Sequence, residues 1–432
     1  MKNTILILFS LLCAYNGHAQ RENKYILEKE VSKIVRALAS DRMRGRSALV
    51  AEDIDRAAVY IEKGFSKAKL RPLPGQKSFR QHFMKQRVTR LTLEVNMDGT
   101  PIDESRLILS SADTNITLDE NTTMDSIRGN EKLFQAISAI EKRGGNKIIW
   151  VAPEHKENFA IAQRYFGTPK ITDPEEKSAG ATVYILGNPV FKTIAVTASQ
   201  KSDLISMYNV VGMIEGKSRK DEYVVFSGHY DHIGILQPVE GDSIANGADD
   251  DASGTTAVIT LARYFSKMKS NERTLIFAAF TAEEIGGYGS QYFSEQLNPD
   301  QVVAMFNIEM IGKESKWGGN AAFITGFERS NFGEILQKNV AGTSFQFHPD
   351  PYPEQNLFYR SDNATLARLG VPAHSISTDQ IPTDPFYHTV QDETETLSMA
   401  NITSAIRAIA VGARSIITGI HTPARVDRAK VK

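Results

Sequence analysis

Between Glu222 and Asp251 the chain reads EYVVFSGHYDHIGILQPVEGDSIANGADDD, and this stretch limits what the rest can become. Tyr223, Val224, Val225 and Phe226 form a short apolar, β-prone run, the pattern of a strand buried in a parallel sheet. Gly228 ends the run, and His229 and Asp231 follow. Residues two apart on an extended backbone point the same way. A polar, Gly-containing loop leads to Asp249, Asp250 and Asp251, after which Ala252-Ser253-Gly254 opens an apolar helix. Three adjacent carboxylates repel one another unless positive charge sits among them. A His-x-Asp at a strand's C-terminal edge, facing an Asp cluster at a helix start, is good geometry for a metal site. The plainer alternative is a solvated acidic loop beside a stray histidine.

From residue 206 onward strand-like and helix-like segments alternate, which predicts an α/β fold with a mostly parallel sheet sandwiched by helices. Strands are expected at 209–214, 222–227, 273–280, 301–308, 321–325 and 373–377, and helices at 252–268, 287–297, 328–341, 362–369 and 394–418. Upstream, Ile26, Leu27, Val31, Ile34, Val35 and Leu38 repeat at helical spacing over 24–39, and a second amphipathic helix is expected over 51–69. Between them Ser40 to Ser47 reads as a charged loop. Residues 91–200 show no cluster of histidines or acids at ligand spacing and carry strand signals at Leu91–Val95, Lys147–Val151 and Ala181–Leu186. They are expected to form a small β-rich inserted domain, or else a decorated excursion of the main domain. The main domain is then assembled from 21–90 and 201–425.

Residues 1–20 read as a secretory signal peptide. Lys2 is the positive end, Ile5 to Ala14 the apolar core, and Gly17-His18-Ala19 the small-residue cleavage region. The apolar part is too short to span a bilayer. The only cysteine, Cys13, falls inside it, so the mature chain has neither disulfides nor a cysteine nucleophile or zinc ligand. A net charge of −1 over 432 residues points to neither nucleic acid nor a polybasic membrane contact. A secreted or periplasmic protein without a membrane span in its mature chain is expected.

Further acids stand at strand ends, where such a sheet places its ligands. The run RTLIFAAF (273–280) leads into Glu283-Glu284. Of two adjacent glutamates, one can ligate a metal while the other takes a proton from water. Glu309 follows an apolar strand and is costly to bury without a partner. His388 lies in a late loop, in Thr383-Asp384-Pro385-Phe386-Tyr387-His388-Thr389.

The order H-Y-D, G-A-D-D-D-A-S-G, A-E-E-x-G, N-I-E-M-I-G and a late Y-H-T resembles the di-zinc exopeptidases, a family that includes bacterial leucyl aminopeptidases and glutamate carboxypeptidase II. The resemblance covers roughly 206–420. Members commonly insert a small protease-associated-type domain after two lead-in helices. It implies two zinc ions. His229 would bind one, its ring oriented by Asp231; Asp250 would bridge both; Glu284 would complete the first site; Glu309 and His388 would hold the second. Glu283 would be the general base and acid. His232 has no counterpart among the ligands. The resemblance also implies a cis Asp250–Asp251 peptide. Two departures stand out: Glu309 occupies a place where aminopeptidases usually have aspartate, and Asn363 one where Ser-Asp-His is common. Asn363 is expected to alter a pocket wall.

The substrate pocket is expected to draw on Phe358, Tyr359, Arg360, Phe386 and Tyr387. Tyr359 is the hydrogen-bond donor considered for a tetrahedral intermediate. Arg360 and Arg368 are the cations considered for a terminal carboxylate, Arg368 lying in an amphipathic helix where it is expected to face solvent. Peptides are the expected substrates and aminopeptidase action the leading expectation. A metallocarboxypeptidase or dipeptidase on the same centre, and a non-catalytic binding protein on this scaffold, are the alternatives.

Overall fold

A computed structural model describes residues 22–431. The expected signal peptide lies outside the described residues. The chain forms two compact units, one built from residues up to His82 and from Met207 onward, the other from Phe83–Ser206. The inserted unit is therefore wider than the expected 91–200.

In the larger unit, helices α1 (Glu28–Leu38) and α2 (Ala51–Lys67) form where the spacing predicts them, burying Val31, Ile34, Val35 and Leu38 and then Ile54, Ala58, Ile61 and Phe65. The end of a long strand, β1 (Ile194–Ile214), leads into β2 (Arg219–His229), α3 (Gly254–Met268), β3 (Arg273–Phe280) and α4 (Tyr288–Glu295). Then follow β4 (Val302–Ile308), β5 (Ala321–Ile324), α5 (Phe332–Asn339), β6 (Gln346–Pro349), α6 (Asn363–Arg368), β7 (Ala373–Ser377) and α7 (Met399–Gly412). The spatial order is β6-β5-β7-β4-β2-β3-β1. β7, β4, β2 and β3 are mutually parallel, while β1 and β5 run antiparallel to their central neighbours. β6 is a short edge strand that the sequence pattern does not reveal.

The central strands read as unbroken apolar runs because both faces are covered: every residue of β3 and β4 is buried. Phe226, Phe277 and Phe306 sit in register on β2, β3 and β4, and their rings stack at 5.5 and 4.8 Å between centroids. This ladder fixes the three strands side by side, so His229, Thr281 and Glu309 emerge together at one edge. α3 crosses that edge closely. A Cβ on Gly254 would lie 2.0 Å from the Ile308 carbonyl oxygen, so only glycine lets the helix begin there. Among the described residues no helix is long and apolar enough to cross a membrane.

The unit Phe83–Ser206 holds a four-stranded mixed sheet with spatial order Leu107–Ser110, Thr182–Leu186, Lys147–Val151, Thr123–Ile127. Helices Leu133–Arg143 and Lys156–Gly167 join its core of Ile108, Ile149, Tyr184 and Phe159. The second helix is not legible in the sequence, since its polar residues hide the few apolar contacts it makes.

On β7, His374 is buried, with Nδ1 2.8 Å from the Thr325 carbonyl and Nε2 2.7 Å from Ser330 Oγ. The neutral ring satisfies both contacts: Nδ1–H donates to the carbonyl and Nε2 accepts from the hydroxyl. Burial pushes its pKa down to about 4. The unfolded histidine, near 6.5, takes up a proton first as pH falls. The stabilisation is therefore fully present above about pH 6.5 and is lost progressively toward pH 4, by about 3 kcal/mol in all. Urea unfolding at pH 7 and pH 4.5 should show most of that loss in the wild type and less of it in His374→Gln. Equal losses in both would contradict this.

Candidate metal centre

The three aspartates divide the work, and this is how the fold tolerates them side by side. Asp251 turns inward and accepts N–H groups from His229 (3.2 Å), Gly254 (3.0 Å) and Met310 (3.1 Å), so it ties the ends of β2 and β4 to the start of α3. Asp249 accepts from Gly312 N at 2.6 Å and Ser253 Oγ at 3.1 Å. Only Asp250 aims both oxygens at the open centre. The Asp250–Asp251 peptide is cis.

Asp250 Oδ1 lies 3.1 Å from His229 Nε2, and Oδ2 lies 3.2 Å from His388 Nε2. His388 Nε2 is also 3.1 Å from Glu284 Oε2. Burial pushes the Glu309 carboxyl up to about 7, and His229 is the charged group that most opposes this. Asn307 Nδ2 and Ser361 Oγ, 2.8 Å apart, brace it. The 3.1 Å contact of Glu284 with His388, and the electrostatic pairing of Glu309 with His229, favour a grouping different from the one the resemblance implies.

A divalent cation fits these atoms. His229 Nε2 is buried and has no hydrogen-bond partner, although Asp250 Oδ1 is 3.1 Å away. Each of His229, Asp250 and Glu284 offers a donor within 4.8 Å of the others. Burial pushes Asp250 up, but His229, His388 and His232 outweigh it and hold the carboxyl well below its usual range. Burial and Asp250 likewise push Glu284 up, yet His232 and His388 bring it down to about 2. For His388, burial is outweighed by the Asp250 and Glu284 carboxylates, which raise it to about 10. Carboxylates that stabilise positive imidazoles this strongly suit a cation between them, and a mixed imidazole and carboxylate set suits zinc.

Residues 209–412 match the family model described as peptidase family M28. The chain carries a peptidase family M28 domain. A probable zinc metalloprotease of Pyrenophora teres f. teres is 33% identical over 117 residues, which are 27% of this chain and 25% of that protein. Leucine aminopeptidase 1 of Leptosphaeria maculans is 29% identical over 204 residues, 44% of this chain and 50% of that one. The chain thus spans between a quarter and a half of these curated relatives. An aminopeptidase from Aneurinibacillus sp. strain AM-1 shares the fold with TM-score 0.60 at 18% identity, over 96% of this chain and 98% of that one. The zinc aminopeptidase BSAP of Bacillus subtilis gives 0.53 at 17% identity, over 94% and 98%.

Within the M28 domain several expected residues have other work. Asp231 does not grip His229 by its carboxylate, which stands 3.8 Å from Nδ1; the Asp231 carbonyl does so, at 3.2 Å. The carboxylate accepts instead from the backbone N–H of Glu283 (3.2 Å) and Glu284 (3.4 Å), holding the glutamate pair in place. Phe358 is buried against Gly326 and His374, and the Tyr359 hydroxyl points to the Lys430 carbonyl at 3.4 Å. Both leave the expected pocket, because Asn356, at φ 52, turns the following residues toward the core around α6. Asn363 is likewise no pocket wall. It is fully buried and bonds to the Phe358 carbonyl and Ser375. Tyr387 stacks on His388 at 3.9 Å, and the Lys313 ammonium lies over the Phe386 ring at 5.5 Å. Arg360 is exposed, 3.4 Å from Gln355.

Two residues of the M28 domain were not expected here. His232 Nδ1 is 2.6 Å from Glu284 Oε1, so the ring fixes the oxygen that His388 leaves free. Asp392 accepts from Asp249 N and Asp250 N at 3.1 Å, which ties the His388 loop to the Asp250 loop. The spacings H-Y-D-H and H-T-x-x-D carry the only sequence signal for them.

Proposed function

We propose that the protein is an exported zinc exopeptidase that releases residues from the free amino termini of peptides. The observation that carries this reading is Asp250 set between His229 and His388, with a Glu283 carboxylate that makes no hydrogen bond among the described residues. His229, Asp250 and Glu309 would hold one zinc, and Asp250, Glu284 and His388 the other. Bound zinc polarises a scissile carbonyl and makes water a stronger acid.

The chain's own groups supply the rest. Glu283 takes a proton from the attacking water and delivers it to the departing amine nitrogen. The Tyr387 phenol takes the donor role first considered for Tyr359. Burial, then Asp250, Glu284 and Glu309, raise its pKa and keep the O–H in place for a carbonyl oxygen as charge develops. Glu283, Glu309 and Asp362 make the inner site acidic, which suits a substrate ammonium better than a carboxylate. The names of the leucine aminopeptidase relative and of the aminopeptidases with this fold support the same polarity. Export rests on the leader-like pattern of residues 1–20.

Leu- and Phe-reporter amides should be hydrolysed, with activity lost to a chelator and restored by zinc. N-blocked peptides with free carboxyl termini should be spared. Cleavage of the blocked peptides alone would reverse the polarity, and inertness toward both would leave a binding protein.

A further inference from the structure

The turn Asp41–Arg46, within the stretch Ser40 to Ser47 expected to be a charged loop, buries its last side chain. Arg46 is 1% exposed. Its Nε donates to the Tyr230 carbonyl at 2.9 Å. Nη1 donates to Leu38 O at 2.9 Å and Asn246 O at 2.5 Å, and Nη2 to Gly247 O at 3.0 Å and Asp250 O at 3.4 Å. Its own carbonyl accepts from His232 N at 3.2 Å. Among the described residues it forms no ion pair. The fan of N–H groups instead grips two chain segments, the one carrying His229 and the one carrying Asp250, and anchors both to the end of α1.

A guanidinium suits this place for two reasons. It offers five donors in a fixed plane, whereas an ammonium offers three around a point. Its charge also lies among the carboxylates of Asp250, Asp251, Asp231 and Asp392, which act on it electrostatically. The gripped backbone is itself unusual: Gly247 has φ 54, and a Cβ there would meet the Asp250 carbonyl oxygen at 2.2 Å. Asn246, Gly247 and Asp250 therefore present their carbonyls to Arg46 through a tight loop that has few other ways to satisfy them.

We propose that Arg46 is a positioning residue of the metal centre, holding His229 and Asp250 in ligating register before a cation arrives. The proposal rests on the zinc reading given above. Zinc affinity of Arg46→Lys, measured by competition with a chromophoric chelator, should fall about 10- to 100-fold, as for other groups that orient ligands, while circular dichroism shows a folded chain. Arg273→Lys is the control. Arg273 is equally buried but bonds to Glu222, Ile416, His421 and Thr422 at the far end of β3. It should lower the melting temperature and leave zinc affinity unchanged.

Hydrogen exchange on the wild type tests the same point without a variant. The amides of 229–232 and 246–251 should stay protected after zinc is removed. Unchanged affinity in a folded Arg46→Lys, or loss of that protection in the zinc-free wild type, would overturn the proposal. A wild type with no zinc affinity at all would overturn the zinc reading along with it.

Discussion

Glu283→Gln is expected to lower kcat about 10³-fold, a barrier increase of about 4 kcal/mol, with the zinc content unchanged. The two adjacent glutamates differ in what surrounds their carboxylates. Glu284 is engaged on both oxygens, Oε1 with His232 at 2.6 Å and Oε2 with His388 at 3.1 Å. Among the described residues nothing bonds to the Glu283 carboxylate, although its backbone N–H is fixed by Asp231 at 3.2 Å. Its position is thus set from behind while its oxygens are free to carry a proton. Glutamine keeps the shape and the backbone contact but cannot accept that proton. Turnover of a Leu-reporter amide and elemental analysis on the same sample decide the matter. Near-normal kcat, or zinc lost in parallel with activity, would exchange the roles of the pair.

The strands that position this site were legible because they are buried on both faces. β3 and β4 carry apolar runs with no other plausible place than the middle of a sheet. The inner acids and histidines were legible as a set, through their order along the chain. Which acid joins which histidine was not, because that depends on the direction of two oxygens on one residue, Asp250. Phe358 and Tyr359 were misplaced for a similar reason: composition shows that rings are present, but the left-handed Asn356 decides where they point. Arg46 lay furthest from reach. Four of its five side-chain bonds go to backbone carbonyls some 184 to 204 residues away, and a carbonyl acceptor leaves no mark in the sequence.

Asp250→Ala should abolish zinc binding at both positions, while His388→Ala and His229→Ala should each remove one ion. Asp250 is the only side chain shared by the two groups, through Oδ1 at 3.1 Å from His229 and Oδ2 at 3.2 Å from His388. Its loss leaves each group two ligands short of the four usual for zinc. The single variants then test the pairing. His388 and Glu284 are neighbours at 3.1 Å, so once His388→Ala has emptied their position, adding Glu284→Gln should cost almost no further zinc. Adding Glu309→Gln to His388→Ala should strip the second ion as well, because Glu309 belongs with His229. The same asymmetry should appear in reverse: His229→Ala combined with Glu309→Gln behaves like His229→Ala alone, and combined with Glu284→Gln it loses everything. Residues that act on one ion are non-additive, and residues on different ions add. Zinc per chain, measured by elemental analysis after dialysis against a weak chelator, reads the pattern directly. The opposite pattern, with Glu309 redundant to His388 and Glu284 redundant to His229, would restore the pairing expected from the resemblance and refute the grouping proposed for the two ions.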